Sequence, residues 1–174
     1  MWPLLLVLSL ASPVLAAAPE INWQEAVARL AQERTQAETC ARLLKKYGDD
    51  AAKDRGELAY SQAKAEYDGI IAGLVVALAQ KKQPDSLKDL QDRLQHGFAK
   101  REAFCQSAQS LVPSQSGEKG ALDEIVKGAV GPLIDAIKEI YLDAEKQGAQ
   151  TRETIQTQLE ATSWPTFSAV SSSS

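Results

Sequence analysis

The sequence predicts an all-α fold: an antiparallel helical bundle of about four helices, tied by one interhelical disulfide. Three observations carry this expectation. The chain is 44% hydrophobic but only 6% aromatic, so its core must rest on aliphatic side chains and many alanines. Ala and Leu lose little entropy in a helix. Apolar residues recur in alternating steps of three and four along most of the chain, the spacing of one helix face. The two cysteines, Cys40 and Cys105, both fall on such faces.

The opening segment MWPLLLVLSLASPVLAAA carries no charged side chain. It reads as a signal peptide over residues 1–17, with cleavage among the small residues 16–18. No Lys or Arg precedes its apolar run, which departs from an ordinary signal. The rest is expected to be a single helical domain over residues 18–167, with a disordered Ser-rich tail over 168–174. No stretch after the signal approaches the ~20 apolar residues of a membrane span.

The first helix is predicted over residues 22–47. Asn22 suits the N-cap with Glu25 three residues later. The seam runs Trp23, Ala26, Leu30, Ala37, Cys40, Leu44 and Tyr47, with Glu33 as its polar exception. Gly48 suits a left-handed stop. The second helix starts at Asp50 or Asp54 and stops before Pro84. Its stripe includes Leu58, Tyr60, Tyr67, Ile70, Leu74 and Leu78. Residues 70–79 are apolar almost all round, which suits a central helix. Ala65, Gly69, Gly73 and Ala77 form a ridge of small side chains that implies close helix packing. The third helix starts near residues 85–86. Its seam includes Leu90, Leu94, Phe98, Phe104 and Cys105, with Arg101 as the polar exception. After the turn-rich residues 113–120, a helical period continues to about Ala161. It is expected to be one long helix, kinked or broken near Pro132.

An even cysteine count in an exported chain predicts a Cys40–Cys105 disulfide. Its Cα atoms must lie about 4.4–6.8 Å apart. Adjacent helices meet this more easily than diagonal ones, so helices one and three should be parallel neighbours.

Several chemistries lack their residues. The net charge of −4 opposes nucleic-acid binding, which needs a basic excess. His96 is the single histidine, and its helical position lies beside the seam. No zinc, copper, haem or nucleotide motif is present, so no cofactor or metal is expected. Glu33 and Arg101 are a candidate buried ion pair. Trp164 and Phe167, which follow the last helix, are either packed back or shown to a partner as binding residues.

The expected function is that of an exported, periplasmic or extracellular binding protein: an inhibitor, adaptor, immunity-type or chaperone-like factor without catalytic activity. Its partner would be another exported or envelope protein. Oligomeric state has no signature in the sequence. The alternatives are a carrier of a small apolar ligand or lipid in the bundle core, and a hydrolase using carboxylates alone.

Overall fold

The computed structural model describes residues 22–80 and 85–171. The expected signal peptide and the last three serines lie outside these residues. Among the described residues all regular structure is helical. The α-helices are α1 Trp23–Tyr47, α2 Asp50–Gln80, α3 Asp85–Leu111, α4 Glu118–Val126, α5 Gly131–Lys146 and α6 Ala149–Glu160; a 3-10 turn follows at Phe167–Ala169. The final helix, expected to be kinked or broken near Pro132, is thus three helices. Residues 127–130 separate α4 from α5, and Pro132 falls in the first turn of α5, where its missing N–H costs nothing. Gln147 and Gly148 are extended and separate α5 from α6.

The caps show why these segments start where they do. Asn22 Oδ1 accepts the Glu25 amide at 2.9 Å. α2 starts at Asp50, one of the two expected starts, and Asp49 caps it by accepting the Ala52 amide at 2.8 Å. Gly48 has φ −80°, so it is not a left-handed stop. Glycine is needed there because a Cβ would lie 2.7 Å from the Leu44 carbonyl oxygen.

The contacts fix the directions. Going along α1, residues 33, 40 and 48 meet residues 101, 105 and 111, so α1 and α3 run parallel. The Cys40–Cys105 disulfide joins them with Cα atoms 5.3 Å apart. Closing a loop with a sequence separation of 65 constrains the unfolded chain by about 4 kcal/mol on the entropic account. α2 runs antiparallel to both: Gly56 meets Leu44, Gly73 meets Leu90 and Gly69 meets Arg93. α5 returns along α1, with Asp143 accepting the Trp23 amide and Arg29 donating to the Pro132 carbonyl. α6 lies on α2, where Gln156 reaches the Val75 carbonyl.

This packing explains the two glycines of the small-residue ridge, while its Ala65 is exposed. Gly69 and Gly73 on α2 receive Arg93 and Leu90 of α3, and Gly97 on α3 lies against Glu66 and Tyr67 of α2. The core is continuous from Trp23 to Val170. α2 is not enclosed all round, however. Leu58 is 63% exposed and Val76 is 50% exposed, and Ala65, Ala72 and Ala79 share that outward face. Leu58, read from the sequence as a core residue, belongs to this face.

Two glycines should respond oppositely to alanine. A Cβ at Gly56 would stand 1.8 Å from Leu44 Cδ2 and 3.1 Å from its Cγ, so the whole buried Leu44 side chain would have to shift. Gly56→Ala should lower stability in urea unfolding by about 1 kcal/mol or more. At Gly69 the obstacle is the Arg93 guanidinium, on a half-exposed side chain that can swing away. Gly69→Ala should be neutral or stabilising by up to ~1 kcal/mol.

Candidate functional site

The two polar exceptions on the seams meet in the interior. Glu33 precedes Cys40 by seven residues and Arg101 precedes Cys105 by four. With α1 and α3 parallel and level at the disulfide, the offset is about 4.5 Å at 1.5 Å per residue, which the arginine stem spans. Arg101 Nη2 donates to Glu33 Oε1 at 2.8 Å and Nε donates to Oε2 at 2.9 Å. The pair is therefore bidentate, the geometry that suits a guanidinium and a carboxylate. Arg101 is 0% exposed and Glu33 is 5% exposed.

Two further helices complete the pair. Tyr67 Oη of α2 donates to Glu33 Oε2 at 3.3 Å. Arg101 Nη1 donates to the Ile125 carbonyl of α4 at 3.1 Å. That carbonyl lies at the C-terminus of α4, where it also accepts the Gly128 amide at 3.3 Å and where a cation is favoured. The Phe98 ring lies 4.7 Å from the guanidinium carbon. Burial pushes the Glu33 carboxyl above its ordinary value, and the Arg101 charge and hydrogen bonds pull it back. Burial, with the Glu33 charge beside it, drives the Tyr67 phenol far upward, so it stays a neutral donor.

Trp164 and Phe167 are not exposed partner anchors; both are buried. The chain after α6 folds back as a strap across α1 and α2. Trp164 stacks on Tyr67, with ring centroids 4.5 Å apart, and Phe167 packs beside Tyr60 at 5.6 Å. Side chains hold the strap by its backbone. Arg34 donates to the Ala161 carbonyl, Tyr60 Oη to the Pro165 carbonyl, and Lys45 Nζ to the Val170 carbonyl; Asp68 accepts the Trp164 amide. Lys45 also stands over the Phe167 ring. Ser168 and Ala169, expected in a disordered tail, lie in the 3-10 turn, and Val170 is buried. Two such aromatics bury enough apolar area to hold the strap down. Tyr60 and Tyr67 were legible as core residues; their spacing of seven on one face is what fits them to the strap.

Glu33 also borders a cleft of about 300 Å³ between α1 and the start of α5, lined otherwise by Arg29, Gln32, Gln36 and residues 128, 129, 132 and 133. Both carboxylate oxygens are engaged, and no second acid lines the cleft. The geometry fits a structural ion pair. His96 is a surface side chain, 64% exposed, with Nδ1 3.5 Å from Glu66. Among the described residues no three His, Cys, Asp or Glu side chains converge on a metal-sized site. No described helix is long and apolar enough to cross a membrane. No family model, curated protein or solved structure matches the chain.

Arg101→Met should cost about 3–5 kcal/mol in urea unfolding, because it leaves the Glu33 carboxylate buried without its partner. Adding Glu33→Leu should restore most of the loss. A double variant as unstable as the single one would mean that shape, and not charge, sets the cost.

Proposed function

We propose that the protein acts by binding another exported or envelope protein, in the manner of an inhibitor, adaptor, immunity-type or chaperone-like factor, with no catalytic step. The observation that carries this reading is the outward face of α2. Leu58 and Val76 are the two most exposed large hydrophobic side chains among the described residues. With Ala65, Ala72 and Ala79 they follow steps of seven, seven, four and three along one helix face. None of the five is charged, and the face spans about 31 Å. A helix surface of this kind loses little on desolvation and lets a second helix approach closely. The Cys40–Cys105 disulfide supports an oxidising, exported location.

The carrier alternative has less support. The centre of the bundle is filled by the Arg101 pair and by fully buried Tyr60, Leu74, Leu94, Ile137 and Ile140. An apolar ligand there would have to displace packed side chains.

Affinity capture of the protein from its own compartment tests the reading. Leu58→Glu with Val76→Glu should abolish capture of a partner while leaving thermal stability unchanged, since both positions face solvent. Trp164→Ala should lower stability by about 3–5 kcal/mol and leave partner choice intact under conditions where the variant is folded. Capture that survives the α2 charges but disappears with the folded Trp164→Ala variant would overturn the α2 surface in favour of the strap.

A further inference from the structure

Near the disulfide, the first turns of α2 and the last turns of α3 draw apart over a recess of about 410 Å³. Leu44 of α1 and Phe104 of α3 line it. Both are fully buried as residues, so they form its floor, and half-buried Leu111 lines it as well. The size falls in the range of sites for small organic molecules. Ala52, Gly56 and Ala59 present only small side chains on the α2 side, which is why the space is open.

Arg55 also lines the recess. Of the seven arginines in the chain, Arg55 alone makes neither an ion pair nor a side-chain hydrogen bond among the described residues. Arg29, Arg34, Arg93 and Arg101 each face a glutamate, and Arg42 and Arg152 each donate to an oxygen. The sequence makes Arg55 solitary: its neighbours three and four residues away on α2 are Ala51, Ala52, Leu58 and Ala59, so its own helix places no carboxylate beside it. Ser107 and Ser110, across the recess on α3, spend their hydroxyl protons on carbonyls of α3. Arg55 is then the cationic donor set over an apolar floor.

We propose that this recess binds a small carboxylate with an apolar body, the carboxylate on Arg55 and the body against Leu44 and Phe104. A planar guanidinium pairs with a carboxylate through two parallel hydrogen bonds, and the apolar body gains by leaving water. The recess is separate from the outward face of α2, and it is a surface site, not a carrier cavity in the bundle core. It stands or falls independently of partner binding.

Titration of the disulfide-bonded protein with octanoate, octanol and acetate, followed by amide NMR shifts, tests it. Octanoate should give saturable shifts confined to the amides around residues 52–59 and 104–111. Acetate, with charge and no apolar body, and octanol, with the reverse, should each bind at least about tenfold more weakly. Arg55→Gln should weaken octanoate by about tenfold or more with thermal stability unchanged. Ala59→Leu, which fills the recess, should abolish the local shifts. Shifts spread over the whole surface, equal affinity for octanol, or full octanoate affinity in Arg55→Gln would each overturn the proposal.

Discussion

A charge with no access to water dominates the energetics of this fold. The Arg101 guanidinium is fully enclosed, and a buried charge is costly unless it is paired and hydrogen-bonded. Three helices around it supply its counter-charge, a donor that orients that counter-charge, and a carbonyl acceptor. α1 brings Glu33, α2 brings the Tyr67 hydroxyl that orients it, and α4 ends where the Ile125 carbonyl can reach the remaining nitrogen. Sliding any one helix by a single turn would strand the cation. An apolar seam tolerates such a slip far better, because one leucine replaces another. The pair thus fixes register, a role in which buried polar groups are well attested although they add little net stability. The disulfide restrains the same two helices covalently, four residues farther along α3.

Close packing does the rest. α2 and α3 exchange small for large at Gly69, Gly73 and Gly97, so their backbones approach where a wider side chain would hold them apart. The aromatic side chains are concentrated on the other side of α2, where Tyr60 touches Phe104, Trp164 and Phe167. Tyr67 belongs to both sets: its ring stacks on Trp164 and its hydroxyl serves Glu33. Through this one residue the strap, the core and the ion pair are mechanically connected. One buried polar atom stands outside the scheme: Tyr141 Oη has no hydrogen-bond partner among the described residues, and nothing in the structure explains it.

Much of this was legible in the sequence, and the rest was hidden for definite reasons. The helical class followed from periodicity, and the neighbouring of α1 and α3 followed from the reach of a disulfide. Glu33 and Arg101 were visible as interruptions of their seams. They were a candidate pair too, because a disulfide between parallel helices brings the two positions near one level. The break at Gln147 and Gly148 was invisible because α5 and α6 both turn an apolar face to the same core, so the period continues across the turn from Ala144 to Ile155 and Leu159. Leu58 was misplaced because a stripe shows which residues are apolar and not which side meets a neighbour. The tail was misjudged for a similar reason: serine composition signals disorder, but Phe167 and Val170 suffice to hold the residues between them. Of the candidate sites, the α2 face and the Arg55 recess had no motif to announce them. Both depend on what fails to cover a residue, which no local pattern records.

The strap also bears on the order of events as the chain is made. The ribosome releases the N-terminus first, and local helices form long before the last residues emerge. The first three helices can pack together while residues 164–170 are still being added. Until then Tyr60 and Tyr67 lie open, as a sticky aromatic strip on a half-built protein. Residues 164–170 are the ones that hide it. A chain without them would display the strip, the kind of surface that quality-control factors recognise.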